Sequence, residues 1–275
     1  MKRSESDPLE LFGRYMAVTG VPRLEHGQGP DPDLQGRSLG LLNGSSWISL
    51  WANWFGRQLL PGVKLVNVGN EAVQLNFMAA HRRGEPVPPT ANIETFARYA
   101  VDLVTLSPVD ALLVTCSTMN RAWPAVREAV RPWGIPVVQI DQPMMDRAAR
   151  EGKRILAVAT HGPTVESTRS LLLETAAESG LSVEVECAIT EEAFHLLGEG
   201  DVRGHNECIA RLLTRTLAGA RFDVVVLAQL SMSVFAFSYP DRVAAFGVPV
   251  LTSGEEGFRR VGDVLRAAPR RNLGP

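Results

Sequence analysis

The chain has 275 residues, 45% hydrophobic and 21% charged, an ordinary globular balance with mass for one large domain or two moderate ones. Its net charge of −2 supplies no basic surface for nucleic acid or an anionic membrane. No apolar run approaches the ~20 residues that span a bilayer, and Met1 to Asp7 do not lead into the apolar core of a signal peptide, so the expected location is the cytoplasm.

Residues 1–36 stand apart as an N-terminal arm. A short helix is expected over 9–18 and a loop over 27–33, rich in Gly, Pro and Asp. The arm packs on the body or on a neighbouring subunit. From residue 38 strands and helices alternate. Residues 39–42 form a short buried strand. Asn43-Gly44-Ser45-Ser46 is a turn with capping residues, and 47–60 is a helix closed by Pro61-Gly62. A strand over 63–68, a surface loop over 82–90 and a helix over 92–106 lead into an apolar run, 111–115, that ends at Cys116. Residues 120–130 are helical and 136–140 a strand. A second round starts with a strand over 154–159, a loop over 160–164 and a helix to 179. Residues 183–189 alternate apolar and acidic positions, the pattern of a half-buried strand. A helix over 205–218 precedes the strand 224–228, which delivers Gln229. A strand over 248–251 and a helix over 255–267 complete the chain.

Repeated strand–helix units predict an α/β fold of two lobes, each a mainly parallel sheet flanked by helices. Residues 37–150 with the C-terminal helix 253–268 form the first lobe, and 151–252 the second. Ligands in such sheets bind beyond the carboxyl ends of strands. The loops at 43–46, 116–120, 160–164 and 229–233 lie there. All are rich in small polar residues and precede helices, which suits an anionic ligand, a carboxylate, between the lobes.

Cys116 is the candidate reactive group. A free thiol titrates near pH ~8.5, lower at a helix start. Cys187, on the apolar side of its strand, and Cys208, on a helix face with Ile209, Leu212 and Leu213, are expected in the core, and three cysteines do not suggest a disulfide framework. His161 sits in a site loop, as acid/base, carboxylate contact or solvent-facing residue. His195 and His205 are expected at the surface around a 196–204 loop. No His, Cys and acidic set has metal-ligand spacing. Trp47, Trp51 and Trp54 fall at helical spacing as packing residues, Trp47 bordering the cleft.

These motifs resemble the aspartate/glutamate racemase superfamily, which includes hydantoin racemase, arylmalonate decarboxylase and maleate isomerase types. Residues 39–47 look like its opening strand, glycine turn and Ser-Trp. Val114-Thr115-Cys116-Ser117-Thr118 is similar to its first cysteine loop, and Ala159 to Thr164 to its threonine loop. Leu227-Ala228-Gln229-Leu230-Ser231-Met232 falls where it has a second cysteine. The resemblance covers residues 38–267 and implies a pseudo-symmetric pair of lobes, a cleft site, no cofactor and, by analogy, a homodimer. It implies that Ser117 and Thr118, with Thr160 and the loop Asn43, Gly44, Ser45 and Ser46, hold the carboxylate of a small substrate; the loop positions add Asn120, Leu230 and Ser231 as further contacts, with Cys116, Gln229 and His161 at the reacting centre. Gln229 cannot serve as an acid or base near neutral pH, so the two-thiol mechanism of the family's racemases is incomplete here. One thiol suits protonation at one face after decarboxylation, addition to a double bond in cis–trans isomerisation, or attack on a carbonyl. The superfamily's decarboxylase type keeps its single cysteine at the second position, opposite to this chain. The leading reading is a one-thiol isomerase or lyase. An amino-acid racemase with another second acid/base, a carboxylate-binding protein, and a biosynthetic cyclase or hydrolase remain as alternatives.

Overall fold

The structure is a computed structural model that describes residues 7–19 and 29–269. In chain order its elements are α1 (Pro8–Thr19), β1 (Ser38–Leu42), α2 (Ser49–Leu59), β2 (Lys64–Val68), α3 (Glu71–Arg82), α4 (Thr90–Leu106), β3 (Ala111–Val114), α5 (Trp123–Val130), β4 (Val137–Gln139) and α6 (Gln142–Glu151). They continue as β5 (Arg154–Ala159), α7 (Gly162–Glu178), β6 (Glu184–Ile189), α8 (Glu191–Gly198), α9 (Val202–Gly219), β7 (Val224–Leu227), α10 (Phe235–Ser238), α11 (Arg242–Phe246), β8 (Val250–Thr252) and α12 (Ser253–Ala267). Part of the predicted loop at 27–33 lies outside the described residues.

Two four-stranded parallel sheets carry the fold, ordered β2-β1-β3-β4 and β6-β5-β7-β8. The matching orders repeat one plan. In each sheet the chain leaves a central strand, adds one neighbour, then crosses to the other side. The crossing point lies between β1 and β3 in one sheet and between β5 and β7 in the other. At such a point the outgoing loops diverge and leave a crevice at the carboxyl ends. The loops carrying Gly44, Cys116, His161 and Gln229 are the four that leave these strands.

The central strands β1, β3 and β7 are buried at every residue. That is why they read as unbroken apolar runs: helices cover both faces. In the first sheet, Leu39, Leu41 and Leu113 pack with α2 and α12, while Leu42, Leu112 and Val114 pack with α3, α4 and α5. α12 follows β8, the last strand of the second sheet, and crosses to the first lobe, where Phe258, Val261 and Leu265 join that core. α1 lies along α2, held by an Arg57 guanidinium bond to the Ala17 carbonyl of 2.6 Å.

Two expectations need correction. Cys187 is exposed. Its strand β6 is a sheet edge, and on Cys187's side only Val185 joins the apolar packing. His205 is fully buried, in α9. The expected 196–204 loop is only residues 199–201, because α8 and α9 extend into it and pack on each other. Cys208 lies in the second lobe's core as expected.

Candidate active site

β3 ends at Val114, and Cys116 opens a 3-10 stretch, Ser117–Ala122. The loop before it is pinned by a polar ladder. Thr115 Oγ1 lies 2.6 Å from Asn43 Oδ1 and 3.0 Å from the Leu42 carbonyl. Asn43 donates to Asn67 at 3.0 Å, and Asn67 to Asn53 at 3.1 Å. These bonds fix the β1 and β3 loops against each other. Gly44 then faces the thiol so closely that a Cβ there would stand 2.5 Å from Cys116 Sγ.

The sulfur lies 3.1 Å from Thr118 Oγ1. Contrary to the lowering expected at a helix start, burial pushes the thiol above its ordinary range. The Thr118 hydroxyl and the Met119 and Thr118 amides oppose this, and Asp141 would add to it in its ionised form. At neutral pH Cys116 is therefore a thiol, with donors in place to receive a thiolate.

The facing loop carries Gln229, whose Oε1 accepts from the Thr160 amide (2.8 Å) and the Thr160 hydroxyl (3.0 Å). An amide N–H can only donate, so this pair fixes which end of the carboxamide is oxygen. Its NH2 group is left without a protein acceptor among the described residues, and Gln229 lines the cavity. His161 precedes α7 with its ring 5.2 Å from that of Phe194. Burial lowers its pKa, assisted by His81 and opposed by Glu191, which keeps the imidazole neutral. Its Nε2 and the hydroxyl of Thr164 are both buried without a hydrogen-bond partner among the described residues.

These groups line one cavity of about 80 Å³. α3 contributes a largely apolar wall of Val73, Gln74, Phe77 and Met78, continued by Trp47, Ile48, Met119 and Phe194. The Trp47 indole donates to Gln74 at 3.2 Å and so joins the first loop to α3. Cys116 and His161 are the ionisable side chains in the lining, and no Lys, Arg, Asp or Glu is among its described residues.

The sequence matches the model of the Asp/Glu/hydantoin racemase family over residues 71–261. The chain belongs to this family. Among solved structures it is similar to glutamate racemase from Francisella tularensis in complex with D-glutamate, at 15% identity, 83% of this chain, 81% of that one and TM-score 0.60. It is also similar to allantoin racemase from Klebsiella pneumoniae, at 16% identity, 87% and 96% coverage and TM-score 0.58. Unliganded arylmalonate decarboxylase is a further likeness, at 15% identity, 86% and 97% coverage and TM-score 0.54. At these identities the structural likeness concerns the fold. No curated protein matches the sequence.

Of the residues that the racemase-family resemblance nominates, Gly44, Ser45, Cys116, Ser117, Thr118, His161, Gln229, Leu230 and Ser231 line the cavity. Four lie behind it. Asn43 has both ends of its amide engaged in the loop ladder. Ser46 binds Glu71 through its amide and hydroxyl. Asn120 accepts from Ser167 at 3.0 Å, joining the lobes. Thr160 is buried against Gln229. The sequence reading missed the α3 wall and Thr164. The signal for α3 was present: Asn70 caps Val73 N, and Val73, Phe77 and Ala80 recur at helical spacing.

Proposed function

We propose that the protein is an isomerase- or lyase-type enzyme that moves a proton at the carbon beside the carboxylate of a small acid, through the single thiol Cys116. The observation that carries this is the asymmetry of the two facing loops. One presents a thiol. The other presents an amide whose carbonyl is tied to Thr160 and whose NH2 remains for an oxygen of the substrate. The family resemblance puts a second thiol at Gln229, and a carboxamide cannot replace its proton chemistry. It can hold a carboxylate and the enediolate derived from it, together with the Ser117 and Thr118 donors.

Because burial keeps Cys116 protonated, the resting thiol is an acid. That suits a lyase order of events. The substrate loses a carboxylate as carbon dioxide, the electron pair left behind delocalises into the remaining carboxylate, and Cys116 gives its proton to that carbon from one face. The thiolate then left is met by Thr118 Oγ1 and the Thr118 and Met119 amides, and takes a proton back from solvent. The substrate's other arm is apolar and uncharged, since the cavity offers it Val73, Phe77, Met78 and Trp47 and no ion partner. A free α-amino acid would bring an ammonium group with no carboxylate in the lining to meet it.

A second reading has one specific support. His161 lines the same cavity with a neutral ring and an Nε2 unpartnered among the described residues, which offers the second acid/base that a racemase of the Cys–His type requires. NMR on a panel of aryl- and alkylmalonates, hydantoins and amino acids decides. The proposal expects turnover of an acid with an apolar arm that Cys116→Ser abolishes while ligand still binds. Turnover untouched by Cys116→Ser refutes it.

A further inference from the structure

Asp141 follows β4 and is 1% exposed. A carboxyl there stays ionised only with a cation or several N–H donors around it, and the structure withholds both. On α6, Asp146 binds Gln142, and Arg147 pairs with Glu151 and Glu256. On α12, Glu255 pairs with Arg242, and Glu256 also with Arg259. Cys116, two residues beyond β3, is the ionisable group among the described residues whose electrostatics involve Asp141. The first-turn amides are engaged as well. Asp141 N and Gln142 N both donate to Gln139 Oε1, at 2.8 and 2.7 Å. Gly254 N donates to Ser233, and Glu255 N to Thr252.

What remains is one amide bond from Gln139 to Oδ2, 3.1 Å, and the hydroxyls of Ser117 and Ser253 beside the carboxyl, which favour its charged form. Neither hydroxyl closes a hydrogen bond in this arrangement. Among the described residues, Oδ1, Ser117 Oγ and Ser253 Oγ are all buried without a partner. Ser117 also lines the cavity, so this buried group reaches the ligand space through one hydroxyl.

We infer that Asp141 is a positioning residue that works in its neutral form and sets the polarity of Ser117. As an acid it donates its proton to Ser117 Oγ, which turns the Ser117 O–H toward an anion in the cavity. Once ionised it accepts that O–H instead, and the cavity loses a donor and gains a negative charge behind it. Burial, which pushes the carboxyl above its usual range, acts in the same direction. Anion binding is present below the carboxyl's titration and lost as pH rises through it. The inference rests on the reading of the cavity as a small-acid site.

The test is benzoate titration by calorimetry from about pH 6.5 to 9, in a Cys116→Ser background so that the thiol does not titrate; His161, whose pKa burial lowers, stays neutral across that range. The expected affinity falls about tenfold as pH rises and stays flat when Asp141→Asn is added. Ser253→Ala, which removes a group that favours the charged form, moves the fall to higher pH and serves if Asp141→Asn does not fold. A protonated-carboxyl infrared band near neutral pH that Asp141→Asn removes is the expected ligand-free result. An unchanged fall with Asp141→Asn, an unmoved fall with Ser253→Ala, or no such band overturns the inference alone. Benzoate binding at no pH overturns the small-acid reading and the inference with it.

Discussion

Gly44→Ala tests the geometry of the thiol with one methyl group. Gly44 does not adopt a left-handed backbone, so alanine brings no backbone strain. The whole effect falls on Cys116, because the new Cβ would stand 2.5 Å from Sγ and 3.2 Å from its Cβ. Ordinary contacts are about 3.5–4.0 Å, so the sulfur must move by roughly 1 Å. That disturbs the 3.1 Å contact with Thr118 Oγ1 and the bonds to the amides that favour the thiolate. Overpacking of this kind costs about 1–3 kcal/mol, a drop in Tm of at most roughly 10 °C. A 1 Å displacement at a reacting centre costs about 10²-fold in rate. The assay is the rate of Cys116 alkylation at fixed pH, followed by mass spectrometry of its own peptide because the exposed Cys187 also reacts. The expected rate falls at least about tenfold in a protein that remains folded. A wild-type alkylation rate in a folded Gly44→Ala protein would refute the reasoning.

Two substitutions at Gln229 separate its two ends. Gln229→Glu keeps acceptors for both Thr160 donors but puts negative charge where the NH2 stood, so circular dichroism shows a native fold and calorimetry shows small-acid binding lost. Gln229→Leu leaves the Thr160 amide and hydroxyl without a partner, which costs about 1–3 kcal/mol for each buried group and shows as a lower Tm. Thr164→Val removes a buried hydroxyl that has no partner among the described residues, so Tm rises while affinity for a small acid falls. Burial lowers the folded pKa of His205, partly offset by the Ala193 carbonyl. Its contribution to stability is therefore complete above the ordinary value of ~6.5 and is lost as pH falls below it. Denaturant unfolding at a series of pH values should show a shallower acid loss in His205→Leu, with the remainder carried by His161, whose shift has the same sign.

The central strands were legible because burial on both faces leaves an unbroken apolar run. The abrupt change from Val114 to Cys116-Ser117-Thr118, and from Leu227 to Gln229 and Ser231, marked where each sheet opens into the site. What escaped depends on tertiary contact. α3 is amphipathic with few apolar positions, and only folding places Val73, Phe77 and Met78 against Cys116. Cys187 alternates correctly for a half-buried strand, but periodicity cannot tell an edge from a centre, and β6 is an edge. His205 was assigned to the surface because a histidine beside a Gly- and Asp-containing segment reads as loop, whereas it packs inside α9 against the Ala193 carbonyl at 2.9 Å. The split among the polar loop residues was equally invisible. Asn43 and Thr160 have the same chemistry as Ser117 and Thr118, but their hydrogen bonds go to neighbouring loops.

The most direct test of the one-thiol account is the stereochemistry of deuterium uptake. The protein would be incubated in heavy water with a prochiral small acid bearing an apolar arm, and the product analysed by NMR and chiral chromatography. The account predicts deuterium delivered to a single face, giving one enantiomer, with uptake abolished in Cys116→Ser. Equal delivery to both faces, or uptake that survives Cys116→Ser, would contradict it.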